Sequence, residues 1–328
     1  MKELKDCRKE EAKDVYPLIM SPSFRCGQST PWGGRALKEK FGKNTPEELT
    51  GESLEISALP DHESRITNGA YRGKNLREVF ALWGDRLTGS QGKDFPLMLK
   101  ILDAQQCLSV QVHPDDAYAM LHEGKAGKSE AWYILDAEPG ARLVYGIDAQ
   151  REELSSIVNA GELERHLHWV DAHPGDVFYI PSGTIHALGP GIQCYEIQQS
   201  SDVTYRIWDW NRTGMDGKPR ELHLRQALEV SNPDGMLETA GDNGSMASED
   251  SAATLLVDDP HFRLYAVDLD GNFRLQAGRM QFITPLAGCT LHWAGNTREL
   301  APYQSVLIPA GMGAAEVSGR GRVLLSCA

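Results

Sequence analysis

Pro174-Gly175-Asp176-Val177-Phe178-Tyr179-Ile180-Pro181-Ser182-Gly183 returns later in the chain as Pro302-Tyr303-Gln304-Ser305-Val306-Leu307-Ile308-Pro309-Ala310-Gly311. In both copies prolines seven apart bracket a short apolar run, and each copy ends Ile-Pro-small-Gly. An apolar run closed by proline and glycine reads as a strand followed by a turn. A strand-turn unit used twice suggests two related β-barrels. Three residues past the shared glycine the first copy has His186 and the second has Ala314. Only the first copy therefore keeps a side chain able to do chemistry.

The surrounding segments extend the β reading. Leu97–Leu102, Ser109–His113, Trp132–Leu135 and Leu143–Tyr145 are short apolar or alternating runs set between glycines and prolines, the pattern of an antiparallel sandwich or barrel. Helices are fewer. Pro114 to Glu123 carries proline and acids in its first turn and Gly124 after its end, a start and a stop. Gly34 to Phe41, Asn75 to Trp83, Ala149 to Ala160 and Leu222 to Val230 also read as helical. Ser231 to Ser251 contains no Lys or Arg and is rich in small and acidic residues, so it cannot bury enough apolar surface to fold alone. The expected organisation is a body over residues 1–230, an acidic polar linker over 231–251, and a second β domain over 252–328.

Length and charge narrow the function. A chain of 328 residues fits two or three domains. Its 33 Lys+Arg against 46 Asp+Glu give a net charge of −13. An acidic surface argues against non-specific affinity for nucleic acid or anionic membrane, since both need a basic footprint. No apolar stretch approaches the roughly 20 residues of a membrane helix. The charged start Met1–Glu10 lacks the apolar core of a secretion signal. Cys7, Cys26, Cys107, Cys194, Cys289 and Cys327 show no C-x-x-C spacing and read as reduced thiols in a cytoplasmic protein. Nucleotide-binding glycine loops are absent from the sequence.

The chemistry-bearing residues fall in three places. Gln111 and His113 sit at i and i+2 on an alternating strand, so they share one face and Val110 and Val112 share the other. Lys128 and Glu130 repeat the i, i+2 spacing just before an apolar strand, and His186 follows the turn after Ile180. Two imidazoles, a carboxylate and an amide oxygen suit a divalent ion such as Zn²⁺. Each residue also has a plainer reading: His113 as a helix cap, Glu130 as a solvated strand-edge carboxylate, His186 as a loop residue. The third place is Glu196 to Arg206. There Asp202 and Arg206 fit either a surface ion pair or a sugar-phosphate site, which needs a cation for anionic oxygens and a carboxylate for hydroxyls or mobile protons. His62, His122, His166, His168, His173, His223, His261 and His292 form no ligand-spaced pattern, and Trp32-Gly33-Gly34 reads as a turn with one aromatic anchor.

Together, Ser109–Asp116, Gly127–Trp132, Ile180–Ala187 and Glu196–Arg206 resemble type I mannose-6-phosphate isomerase in its short bacterial form. Trp32-Gly33-Gly34 and Gly51-Glu52-Ser53-Leu54-Glu55-Ile56-Ser57 match as well. The resemblance covers roughly residues 15 to 230, and the tail more loosely. It implies a cupin fold of two jelly-roll β-barrels with a few short helices, the second barrel being degenerate and metal-free. It implies one zinc ion per chain on Gln111, His113, Glu130 and His186, and a pocket lined by Lys100, Lys128, Glu196, Asp202 and Arg206. The implied reaction interconverts mannose 6-phosphate and fructose 6-phosphate through an enediolate. Arg206 has the electrostatic role, Glu196 or Asp202 moves the proton, and Lys100 and Lys128 assist with oxygens or phosphate. Leu54 stands where many members carry an aromatic residue, and Ser129 and Ala131 vary positions next to a ligand. The expected partner is a small sugar phosphate, with the chain a monomer or weak homodimer. A sugar-binding cupin without catalysis would have no need for Lys128, Glu196 and Arg206 beside all four ligands.

Overall fold

The computed structural model describes residues 14–213, 217–233, 245–247 and 251–328. The charged start Met1–Glu10, Cys7 and most of the 231–251 segment lie outside the described residues. The elements are mainly strands, joined by seven short helices among the described residues.

Two antiparallel sheets build the first unit. One has six strands, in the order Val177–Ile180, Glu130–Ala137, Ile192–Gln199, Leu97–Ala104, Thr50–Ile56 and Ser23–Cys26. The other has five, in the order Tyr205–Trp208, Val110–Val112, His186–Ala187, Arg142–Ile147 and Leu167–Asp171. Period-two alternation decides what each face carries. On Ile192–Gln199, Tyr195 and Ile197 point to one apolar cluster and Cys194 to another on the opposite face, the face shared by Glu196. On Val110–Val112, both valines pack outward beneath helices Arg151–Ala160 and Leu224–Val230, whose Leu154, Ile157 and Ala227 join the same cluster. Gln111 and His113 are left for the interior.

The expected helices form, each slightly shorter than its sequence signal. Helix Asp116–His122 is capped by the Asp115 side chain, which accepts from the Tyr118 N–H. His113 is therefore not the cap. Helix Leu76–Trp83 carries a full capping box from Asn75 and Glu78.

The third sheet has ten strands and belongs mostly to the tail. Its main path runs Ser245–Ala247, Ala252–Asp258, Arg263–Arg274, Ala315–Cys327, Gln281–Pro285, Val306–Ile308, Leu18–Ser21 and Arg65–Ile66. Two details cut across the expected boundaries. Ser245–Ala247, inside the segment read as linker, pairs with Ala252–Asp258. Leu18–Ser21 leaves the first unit to pair with Val306–Ile308, and its Leu18 and Ile19 alternate between two apolar clusters, one on each face of this sheet.

The repeat is visible in the strands. Val177–Ile180 leads through a turn at Gly183, at φ +89°, to His186. Val306–Ile308 leads through Gly311 to a strand starting at Ala315. There the turn is docked on a helix end: Ala310 N–H donates to the Leu87 carbonyl at 3.0 Å and Gly311 N–H to that of Arg86 at 2.7 Å. The first copy's glycine is likewise tied to backbone, Gly183 N–H donating to the His113 carbonyl at 2.8 Å, so the copies differ in the side chain that follows, His186 against Ala314.

Tail and body share one core. Leu97, Leu99, Tyr133, Tyr195 and Ile197 of the six-stranded sheet form one cluster with Leu264, Phe282, Leu307 and Leu324 of the ten-stranded sheet. The Tyr195 and Ser326 hydroxyls lie 2.7 Å apart within it.

Candidate active site

His113, Glu130 and His186 come from three strands, yet one ligand atom from each lies within 4.8 Å of the others. All three are buried, which removes the solvated-carboxylate reading of Glu130 and the loop reading of His186. Strand register does this: His186 pairs opposite Gln111 in one sheet, and Glu130 opens its strand in the facing sheet, opposite Gln198. The two imidazoles are oriented from behind. His113 Nδ1–H donates to the Val203 carbonyl and His186 Nδ1–H to that of Thr184, each at 2.9 Å. Both rings therefore present an unprotonated Nε2 forward, the arrangement in which a second partner fixes a metal-binding histidine.

Glu130 completes the cluster. Its Oε1 has no hydrogen-bond partner although buried and lies 3.3 Å from His186 Nε2. Its Oε2 accepts from Lys128, whose ammonium also lies 2.9 Å from His113 Nε2. Gln111 extends its amide to within 3.3 Å of His186 Nε2; amide oxygen and nitrogen are exchangeable by a ring-like flip of the terminal group, so the oxygen can face the same point. An orphaned carboxylate oxygen, two imidazole nitrogens turned toward it and an adjacent amide fit a divalent cation. Burial, and then the Lys128 charge, pushes His113 well below its usual value. Burial opposes ionisation of Glu130, but Lys128 and the two imidazoles outweigh it and hold the carboxyl well below the carboxylate range.

A cavity of about 580 Å³ opens beside this cluster, large enough for a small organic ligand. Lys100 and Glu196 pair across neighbouring strands on its wall, with Lys100 Nζ donating to Glu196 Oε1 at 3.0 Å. The Trp132 indole N–H donates to Glu196 Oε2 at 2.9 Å. Glu52 adds a second carboxylate 3.6 Å from Lys100, and Arg25 lies 3.5 Å beyond it. Burial works against charge on Lys100, but Glu196 and Glu52 raise its pKa above the usual lysine value. For Glu52 burial is likewise outweighed, by Lys100 and Arg25, and its pKa falls.

Asp202 and Arg206 both line the cavity but do not pair with each other. Asp202 accepts from Lys125 at 2.7 Å near the rim. Arg206 lies next to Gln111 in the strand register, with its Nε buried and unpartnered. Burial first, and then the neighbouring Arg220 charge, lowers its pKa.

Several cavity residues were not singled out by the sequence. Arg25, Glu52, His62, Arg220 and His223 line it, as does Trp32. The Trp32-Gly33-Gly34 turn thus does more than anchor. A side chain at Gly33 would put its Cβ 2.5 Å from the Gly51 nitrogen, so only glycine lets this turn lie against the strand bearing Glu52. His62 and His223 are cavity residues without being part of the metal-type cluster.

Comparison with known proteins gives these features a family. Residues 24–139 match the model for the phosphomannose isomerase type I catalytic domain. The mannose-6-phosphate isomerase ManA of Bacillus subtilis is 37% identical over 316 residues, covering 94% of this chain and 98% of its own length. The chain belongs to the type I mannose-6-phosphate isomerases. A mannose-6-phosphate isomerase of Streptococcus mutans is 41% identical over 251 residues, 75% of this chain and 77% of its own. The crystal structure of the Bacillus subtilis mannose 6-phosphate isomerase superposes with a TM-score of 0.89 at 33% identity, covering 95% of this chain and 99% of that one. Among the described residues no helix is long and apolar enough to cross a membrane.

Proposed function

We propose that the chain interconverts mannose 6-phosphate and fructose 6-phosphate through an enediolate, with one zinc ion held by Gln111, His113, Glu130 and His186. The observation that carries this reading is that one cavity is lined by the Lys100–Glu196 pair and by Gln111 and Lys128, which reach the His113–Glu130–His186 cluster directly behind them. Only one of the four candidate ligands is an anion, so the bound ion would keep a net positive charge. Such an ion supplies Lewis acidity toward the carbonyl and hydroxyl oxygens of the sugar.

The remaining steps fall to side chains. Aldose–ketose isomerisation needs ring opening, transfer of a proton between C2 and C1, and stabilisation of the negative charge that develops on the two oxygens. Glu196 is the proton-transfer group in this reading: its two oxygens are oriented by Lys100 and Trp132, and it lies on the buried wall of the cavity. Asp202, at the rim and tied to Lys125, handles the hydroxyl whose proton must move for the ring to open. Arg206 stabilises developing charge from beside Gln111, where its buried Nε–H lacks any other acceptor. Lys128 orients Glu130 and assists the sugar oxygens. Residues before 231 carry the chemistry, and 252–328 act as a metal-free buttress in the same cytoplasmic chain.

A coupled assay of the two sugar phosphates, run before chelation, after chelation and with zinc restored, tests the reading. Activity lost to chelator and regained with zinc supports it. Absence of turnover in metal-loaded protein would overturn it. Arg206→Ala should lower turnover far more than zinc content, and an unchanged rate would remove Arg206 from the mechanism.

A further inference from the structure

The charges lining the cavity balance everywhere but at one end. On the six-stranded sheet Arg25 and Lys100 face Glu52 and Glu196. Lys128 faces Glu130, and Asp202 is matched by Lys125. At the edge of the five-stranded sheet, Arg206, Arg212 and Arg220 meet two carboxylates, Asp209 and the exposed Glu221. Glu123 stands on the far side of His223. Arg212 and Arg220 share Asp209, and among the described residues Arg206 pairs with no carboxylate, in a part-buried place where an unpaired cation is costly.

The local structure holds these groups in a defined arrangement. Asp209 is clamped by Arg212 on one side and by Arg220 on the other, with Arg220 Nε and Nη2 donating to its two oxygens at 2.7 and 2.6 Å. This fork leaves the Nη1 edge of Arg220 available among the described residues. The segment behind it is tied to the strand of Arg206 twice. His223 N–H donates to the Arg206 carbonyl at 2.8 Å, and Arg206 N–H donates to His223 Nδ1 at 3.3 Å. Because Nδ1 accepts, the neutral His223 ring carries its proton on Nε2. Three donor groups, one of them the unpaired Arg206, thus line one end of the cavity, where a tetrahedral oxyanion finds both charge and several hydrogens.

We propose that Arg220, together with Arg206 and His223, forms the seat of the substrate's phosphate group, across the cavity from Lys100 and Glu52. Resting on the isomerase reading above, this assigns the phosphate to residues outside the Lys100–Glu196 and Lys128–Glu130 pairs. Those two lysines are already saturated by carboxylates and are left to the sugar oxygens. Arg206 spans the two regions, since it neighbours both Gln111 and Arg220.

The test uses the full-length, zinc-loaded protein with two readouts: calorimetric binding of inorganic phosphate, and KM and kcat for mannose 6-phosphate. Arg220→Gln should weaken phosphate binding and raise KM on the order of ten-fold to a hundred-fold. Zinc content and kcat should change little. Because Arg220 also braces Asp209, Glu221→Gln provides a second variant that leaves the brace intact. Removing that exposed acid should tighten phosphate binding about two- to five-fold. Phosphate affinity unchanged in both variants would overturn the proposal, as would a loss of affinity in Arg25→Gln that Arg220→Gln does not show. Arg220-dependent phosphate binding in a protein that does not turn over mannose 6-phosphate would uphold the seat and remove the isomerase reading. Turnover with a KM indifferent to Arg220 would do the reverse.

Discussion

Trp132 and Lys100 hold opposite oxygens of one carboxylate, that of Glu196, at 2.9 and 3.0 Å from two flanking strands. The carboxylate has its orientation set from both sides by neighbours in its own sheet. Trp132→Phe keeps the ring and removes one donor. A lost hydrogen bond to a charged group is worth about 1.5–3 kcal/mol, so kcat should fall about ten-fold or more while zinc content stays constant. A rate equal to the parent's would show that the indole N–H does not orient Glu196 for the reaction.

Glu130 is the point where metal affinity and stability meet. Glu130→Gln leaves the Lys128 ammonium buried without its carboxylate, a loss of about 3–5 kcal/mol for a broken buried pair. Both zinc content and melting temperature should drop, read by elemental analysis and calorimetry. Retention of one zinc per chain would exclude Glu130 as a ligand.

Acid should weaken the chelator-treated protein from near neutrality downward. His113, His62 and His223 all have folded-state values below the ordinary 6.5, with burial the leading cause in each and a neighbouring cation next. A depressed value means that, between it and 6.5, the unfolded chain binds more protons than the folded one. Stability is therefore fully present above about 6.5 and erodes as pH falls toward the folded values. Melting temperature measured across this range should decline on the acid side; a flat profile would contradict the buried, neutral state of these rings.

Deleting residues 252–328 should abolish soluble expression or activity. The deletion uncovers Leu97, Leu99, Tyr133, Tyr195 and Ile197, which form one cluster with tail residues, and so exposes a contiguous apolar face. A soluble, fully active fragment would end the buttress reading.

Where chemistry followed local spacing, the sequence was legible. Gln111 and His113 face inward because a strand alternates, and the Asp115 cap and Gly124 stop bound their helix within two residues of the sequence signals. Both proline-bracketed repeats form strands, Val177–Ile180 at a sheet edge and Val306–Ile308 inside a sheet. What local spacing cannot register is convergence. Arg25, Glu52, His62 and the Arg220–His223 segment come from four separate places in the chain, and only pairing across sheets and turns brings them to one cavity. A signal existed for Glu52, which lies in the matching Gly51–Ser57 motif and shares period two with Leu54, but nothing local marked that face as the cavity wall. The suggested Asp202–Arg206 ion pair fails for a related reason. Arg206 lies in a strand that begins at Tyr205, and at roughly 3.3 Å per residue a near-extended chain carries the two side chains apart, toward Lys125 and Arg220.

Strand Ile192–Gln199 presents Glu196 on one side and Tyr195 and Ile197 on the other. One pleat separates the cavity wall from the tail's apolar core. A tail substitution that shifts Tyr195 by a fraction of an ångström also shifts the Glu196 carboxylate, since neighbours on a strand share a backbone. Ser326, Leu324 and Phe282, which do not line the cavity, are thereby coupled to its wall. Drift in the second barrel is bounded by the first barrel's catalysis, so the tail is expected to diverge in its exposed loops while its buried face stays constrained.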